Sequence, residues 1–276
     1  MYRIYILSHN RPEFIVQCFE SVDAAANIVD DVEVIISENS TNRSVEDTIK
    51  RSNISAVVKK RQEYMSGIQH INFCIEEARL ARKKYVCVFH DDDVMRPGFI
   101  TETLKAFSEN PNAAAVAFDI STIWSRSSVQ LYNTSDLLEN IFSVHNSQII
   151  PFPGYTYNLD ITGSIFLDEK IGKHGDAEFL LRVSELGPIS IIKSAQVRTA
   201  IHSGSDSYAE SILARRRLLT AVMSKHNIEK SFFNGYRMAY ILRKKKLNKL
   251  SFEIVKRKRL FSIWIVYILK RLRIIS

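Results

Sequence analysis

The densest run of reactive side chains in the sequence is His90, Asp91, Asp92 and Asp93, consecutive in VCVFHDDDVMRPGF. Three adjacent carboxylates repel one another, so such a run is tolerated chiefly where a divalent cation or several N–H donors offset the charge. Hard oxygen donors select Mn²⁺ or Mg²⁺, and a cation held there would in turn hold a diphosphate. The bland alternative is an acidic loop in which Asp93 caps the next helix. LSHNRPEF offers Ser8, Asn10 and Arg11, and ISENSTN offers Ser37, Glu38, Asn39 and Ser40. These are small polar groups of the kind a nucleobase and a ribose need, although each segment alone also reads as an ordinary turn. In GKHGDAEF, Asp176 follows a glycine at the start of a helical pattern. Such a carboxylate either takes a proton from a hydroxyl or caps the helix.

The elements that must position these residues alternate in type. Apolar, β-branched runs at 3–7, 32–37, 55–59, 85–89 and 113–118 predict strands, and helical spacing of apolar residues predicts helices over 13–26, 44–51, 68–82 and 98–109. Pro12 and Pro97 suit first helical turns. Strand–helix alternation implies an α/β fold with a mostly parallel sheet, in which ligands bind outside the carboxyl ends of the strands. Each polar cluster named above falls at such an end.

Beyond residue 120 the pattern changes. A polar segment, STIWSRSSVQLYNTS, leads to a weak helix over 136–142, and PFPGYTYN (151–158) reads as a loop whose Tyr155 and Tyr157 either stack on a sugar or pack inside. A strand at 161–167, a helix at 176–186 and a strand at 189–192 are predicted next, with a domain boundary near 206. Glu178 falls on another helical face than Asp176, as an acceptor contact or a solvated charge.

Charge is distributed unevenly. The 276 residues carry 38 Lys plus Arg against 30 Asp plus Glu, a formal +8, yet residues 227–276 hold 14 basic and 2 acidic residues. The rest is therefore net acidic, and with no recognition motif it argues against a nucleic-acid partner. In the tail, Lys and Arg clusters flank FSIWIVYIL, a combination that fits a helix lying on an anionic membrane surface. A helix docked on the main domain and a dimer interface are the competing readings, and a homo-oligomer stays open. The longest apolar stretch, 260–269, is ten residues against the roughly 20 needed to span a bilayer. The apolar run at the N-terminus is too short for a signal peptide. Cys18, Cys74 and Cys87 lie in apolar stretches without metal-ligand spacing, as expected of buried thiols in a reducing compartment.

Taken in order, four segments resemble the nucleotide-binding half of family 2 glycosyltransferases. IYILSHNRPEFIVQCFESV is similar to their opening strand, turn and helix, and VEVIISENST to their second strand and its turn. YMSGIQHINFCIEEA is similar to the segment bearing a Gly and an Asn, here Gly67 and Asn72, and HDDDVMRPGF resembles their Asp-x-Asp metal motif. GKHGDAEFLLRVSELGPI and VRTAIHSGSDS extend the likeness, with Asp176 at the catalytic base and His202 in the later His-bearing segment. Gly175, Glu38 and His90 depart from the residues usual there.

The resemblance implies a GT-A fold (a Rossmann-like, nucleotide-binding mixed sheet with flanking helices) over 1–205 and a basic helical extension over 206–276. It implies inverting, metal-dependent transfer of a hexose-type sugar from a nucleotide sugar, most plausibly UDP-linked, to a hydroxyl of a polysaccharide or lipid-linked glycan. Ser8, Asn10, Arg11, Glu38, Gly67, Asn72, Asp91 and Asp92 would bind the donor, with Asp91, Asp92, Asp93 and His202 around Mn²⁺ or Mg²⁺ and Asp176 as base. Which two aspartates form the metal pair stays open. The implied location is cytoplasmic, peripheral on the inner face of the membrane, in capsule or lipopolysaccharide synthesis. A nucleotidyltransferase would bring a Gly-rich phosphate loop, which SHNRPEF is not, and a catalytically inactive membrane scaffold has only Gly175 in its favour.

Overall fold

The computed structural model describes residues 2–118, 129–134, 136–137, 154–163, 165–172, 175–194, 196–199 and 222. Along β1 (Tyr2–Ser8) every residue is buried, because the strand is covered on both faces. Ile4 and Ile6 point into one core cluster and Tyr5 and Leu7 into another. Helix α1 (Pro12–Ala26), β2 (Val32–Glu38), α2 (Ser44–Arg51) and β3 (Val57–Lys60) follow, then α3 (Gly67–Leu80) and β4 (Tyr85–His90). A two-residue strand β5 (Val94–Met95), α4 (Gly98–Glu109) and β6 (Ala115–Phe118) complete the first half. The first core cluster takes Ile15, Phe19 and Val22 of α1, Val45 and Ile49 of α2, and Phe99 and Phe107 of α4. Fully burying such a side chain contributes about 1.5–3 kcal/mol, so this cluster accounts for much of what holds the helices to the sheet.

The second half adds β7 (Val129–Tyr132), β8 (Tyr155–Asn158), a short helix α5 (Leu159–Thr162), α6 (Gly175–Leu186), β9 (Ile189–Ile192) and β10 (Val197–Arg198). The main sheet has eight strands in the order β3-β2-β1-β4-β8-β6-β9-β7. Strands β3, β2, β1 and β4 are parallel, whereas β8 runs antiparallel between β4 and β6. Strand β10 pairs antiparallel with β5, Val197 opposite Met95 and Arg198 opposite Val94. The second cluster places α3 and α6, through Ile75, Ala78, Phe179 and Leu180, on the other face of the sheet. The mixed sheet between helical layers is the expected fold class.

The second half departs from the sequence reading in three places. PFPGYTYN does not end as a loop: Tyr155–Asn158 is a central strand, and Tyr155 and Tyr157 are buried packing residues stacked at 6.1 Å. No strand occupies 161–167 among the described residues. Asn158 ends β8 by accepting a hydrogen bond from the Asp160 N–H (3.2 Å) and so starts α5, and Gly163, at φ +55°, closes that turn. The polar segment after 120 contributes β7, the far edge of the sheet. Of the weak helix at 136–142, only Asp136 and Leu137 lie among the described residues.

The extension over 206–276, basic tail included, lies outside the described residues except for Val222, which is buried in the same cluster as Leu137 and Leu180. Among the described residues no helix is long and apolar enough to cross a membrane. All three cysteines are free and buried. Burial pushes the Cys74 thiol up to about 11 and the Cys87 thiol up to about 12, so neither is a nucleophile near neutral pH.

Candidate active site

Parallel pairing brings the polar strand ends together. Ser8 stands opposite Glu38, Leu7 opposite His90, and Glu38 opposite Lys60, so β1, β2, β3 and β4 present their carboxyl ends along one rim. Asn10, at φ +54°, takes the left-handed conformation that asparagine tolerates and turns the chain away from β1. Its backbone N–H donates to Ser40 Oγ (2.6 Å) and its Oδ1 accepts from the Thr41 N–H (3.1 Å), tying the β1 loop to the β2 loop. Asn39 in turn accepts from Met65 N–H (3.2 Å) and donates to the Met65 carbonyl (2.8 Å), which fixes the approach to α3. Ser66 and Gln69 then start that helix with a capping box. Gly67 is its first residue, and a Cβ there would meet nothing within 4 Å, so the space beside it is open to a ligand.

The acidic run does not lie flat along the rim. The Asp91 N–H donates to the Leu7 carbonyl (3.2 Å), and the turn that follows buries the Asp91 side chain beside Ser8 and His9. Burial pushes this carboxyl up to about 7; Arg11 pulls it down, and the charge of Asp92 adds to the rise. The same turn brings one ligand atom each from His90, Asp92 and Asp93 within 4.8 Å of one another. Two carboxylates and an imidazole form a donor set suited to Mn²⁺ or Mg²⁺ in its oxygens, and the half-exposed His90 leaves an approach from solvent. Asp93 does not cap α4, whose N-cap is Pro97 with no side-chain cap hydrogen bond. His90 was the residue the Asp-x-Asp spacing left out.

Arg11 is drawn to the acids. It occupies the N-cap of α1 without making a side-chain cap bond. Its Nη2 lies 2.5 Å from Asp91 Oδ1, and its Nη1 donates to Asp92 Oδ2 at 2.9 Å. Glu38 is buried, and Oε1 accepts from the Ser40 N–H (2.6 Å). Its Oε2 has no hydrogen-bond partner among the described residues. A buried carboxylate oxygen left without a donor is costly, and it marks a position that a ligand N–H or O–H would satisfy. Nearby, the His9 ring packs against the exposed Tyr64 ring with centroids 5.7 Å apart.

Helix α6 brings Asp176 to the same rim. The missing Cβ of Gly175 would stand 3.4 Å from Ile68 Cδ1, which places the first turn of α6 against the first turn of α3. Asp176 is the second residue of α6 and its Oδ1 accepts from the Ala177 N–H (2.8 Å), while burial pushes its carboxyl upward. Asn72 is committed elsewhere: it donates to the Leu167 carbonyl (2.9 Å) and accepts from the Leu167 N–H (2.8 Å). That amide braces residues 165–172 against α3. Glu178 is neither solvated nor open to a ligand, since it is buried and holds Arg182 by two hydrogen bonds of 2.8 Å. Arg182 also donates to the Phe166 carbonyl (2.7 Å), securing the segment that precedes α6. His202 lies outside the described residues; β10, antiparallel to β5, carries the chain toward Asp93 as far as Thr199.

The mixed eight-stranded sheet between helical layers, with an acidic cluster at the carboxyl end of β4, is the GT-A class of fold. The profile described as Glycosyl transferase family 2 matches residues 4–155, more than half of the chain. The chain belongs to that family and is a glycosyltransferase. Solved structures share the fold at low identity. S. aureus TarS 1–349 in complex with UDP-GlcNAc is 14% identical, with TM-score 0.62 over 96% of this chain and 79% of that one. Glucosyl-3-phosphoglycerate synthase from Mycobacterium tuberculosis, in complex with Mn²⁺, UDP-glucose and phosphoglyceric acid, is 15% identical, with TM-score 0.54 over 84% and 81%. A mannosyltransferase from Pyrobaculum calidifontis, in complex with GDP-Man and Mn²⁺, is 10% identical, with TM-score 0.52 over 98% and 86%. None of the curated proteins matches the sequence.

Proposed function

We propose that the protein is an inverting, metal-dependent hexosyltransferase that moves a sugar from a UDP-sugar to a hydroxyl of a polysaccharide or lipid-linked glycan. The observation that carries this reading is the convergence of His90, Asp92 and Asp93 ligand atoms at the end of β4, in a chain of this family. Structural neighbours bound to UDP or GDP sugars, two of them with Mn²⁺, support it.

On this reading the uracil N3–H donates to the unpaired Glu38 Oε2, and the base lies against His9 and Tyr64. Ser8 and Asn10 hold the β1 turn under the ribose, and Arg11 serves the diphosphate. His90, Asp92 and Asp93 would hold Mn²⁺ or Mg²⁺, with His202 as a further ligand, and the ion would offset charge on the departing diphosphate. Asp176 takes the proton of the acceptor hydroxyl as its oxygen bonds to the anomeric carbon from the face opposite the leaving group. The bond from that carbon to the diphosphate oxygen breaks, the nucleoside diphosphate leaves with the electron pair, and configuration inverts. A carboxyl raised by burial is a better base than an exposed one, which suits Asp176 to the role. Neither the sugar nor the acceptor follows from these residues.

The tail reading is that residues 251–276 bind the cytoplasmic leaflet, while buried Val222 fixes an earlier point of the extension to the catalytic domain. Binding to anionic liposomes should fall with salt and disappear on deleting 251–276; unchanged binding after the deletion would end that reading. For the chemistry, the full chain with Mn²⁺, a panel of UDP-sugars and glycan acceptors should release UDP. A folded Asp176→Ala variant that released UDP at the normal rate would remove Asp176 from the role of base.

A further inference from the structure

We infer that Arg11 is a place-holding cation: in the donor-free protein it occupies Asp92, and it passes Asp92 to the metal when the diphosphate arrives. The inference deepens the metal-site reading above and rests on it. Arg11 Nη1 donates to Asp92 Oδ2 at 2.9 Å, and Asp92 also belongs to the group with His90 and Asp93. One carboxylate is therefore claimed both by a guanidinium and by the set of atoms that would bind a divalent ion.

The two contacts of Arg11 differ in kind. Asp91 is wholly buried, and among the described residues Arg11, with Nη2 at 2.5 Å, is the cation in contact with it. Asp92 keeps some exposure and Arg11 is about a third exposed, so the Nη1 contact is the one that can open to solvent and re-form elsewhere. Asp91 thus anchors the guanidinium while its other arm is exchangeable. A guanidinium offers its donors in a fixed fork and suits phosphate oxygens as well as carboxylates. A divalent ion arriving alone would meet the Arg11 charge beside its ligands. Arriving with a diphosphate, it takes Asp92 while Nη1 turns to a phosphate oxygen, and charge stays balanced throughout. The consequence is ordered: the protein binds metal poorly until a nucleoside diphosphate is present.

Mn²⁺ binding to the full-length protein, read as loss of the free-ion signal in electron paramagnetic resonance, tests this with and without UDP. Arg11→Gln should bind Mn²⁺ alone about tenfold more tightly than wild type, and the gain on adding UDP should shrink by a similar factor. Arg11→Lys keeps a charge but cannot span both acids, so it should shift the same way even if the glutamine variant folds poorly. Mn²⁺ affinities of both variants within about twofold of wild type would overturn the inference. Asp92→Asn separates the two layers. If it leaves Mn²⁺ binding unchanged, the metal-site reading fails; if it abolishes binding while the Arg11 variants behave as wild type, only the place-holding role of Arg11 fails.

Discussion

Two groups of charged residues share the parallel half of the sheet, and they differ in how fully they are satisfied. Beneath the rim, Glu77 accepts from the Tyr5 hydroxyl (2.7 Å), from Lys59 (3.0 Å) and from Arg61 (3.4 Å). Arg61 also donates to Ser37 Oγ (2.8 Å) and lies over the Phe73 ring at 4.4 Å. Burial acts to raise the Glu77 carboxyl, but the hydrogen bonds from Tyr5 and Lys59 and the charge of Arg61 outweigh it, so Glu77 titrates below the ordinary range. At the rim the balance is reversed: Glu38 Oε2 has no partner among the described residues, and Asp91 is raised despite Arg11. The lower group is built to stay as it is. At the rim the described residues leave Glu38 Oε2 unpaired and Asp91 incompletely offset, and on the proposed reading donor binding would supply what is missing.

Substitutions in the two groups should therefore fail in opposite ways. The largest effect is expected at the reacting hydroxyl. Asp176→Asn should lower kcat by about 10²–10⁴ with little change in donor affinity or melting temperature, since a general base contributes on that scale. A loss confined to stability would return Asp176 to the role of a helix-start residue. In the lower group, Glu77→Ala should cost about 3 kcal/mol of stability by stranding buried Arg61, with normal turnover by the fraction that stays folded. Chemical denaturation and assay of the same sample separate these outcomes.

His70 gives the lower group a pH dependence. Its Nε2 lies 2.6 Å from Ser37 Oγ, and because that oxygen accepts from Arg61, its proton goes to a neutral His70. Burial, with the charges of Arg61 and His9, holds His70 down to about 4 against an ordinary value of 6.5. Between these values the unfolded chain binds a proton that the folded one does not. The stabilisation is therefore complete above pH 6.5 and falls away as pH drops toward 4, by about 3 kcal/mol in all. His70→Gln should flatten the stability curve across that window; an unchanged curve would mean that His70 is protonated in the folded protein. The smallest effect is expected for Glu38→Gln, which removes a buried charge and puts a donor where an acceptor is needed. Thermal melting should show a gain of about 1 kcal/mol, while UDP affinity falls about tenfold.

Local signals account for what the sequence disclosed. Helices α2 and α4 span 44–51 and 98–109 as their apolar spacing predicts, because that periodicity lies inside the segments themselves. Strand β8 was hidden because its partners, Tyr85–Cys87 and Ala115–Ala117, are distant in sequence, while the nearby prolines signal a loop. The acidic run was legible as a candidate cation site, with the choice among Asp91, Asp92 and Asp93 open. Only the turn after β4, which buries Asp91 and brings ligand atoms of His90, Asp92 and Asp93 together, distinguishes among them. Asn72 read as a donor contact because no sequence pattern reveals that Leu167 uses both ends of its amide.

The central claim is that the rim of β4 binds the donor through a divalent ion held by Asp92, Asp93 and His90. Calorimetric titration of UDP into the full chain, in Mn²⁺ and again in EDTA, tests it most directly. The account predicts binding at least about tenfold tighter in Mn²⁺, with the difference abolished in Asp92→Asn. Equal affinity in Mn²⁺ and EDTA would contradict it.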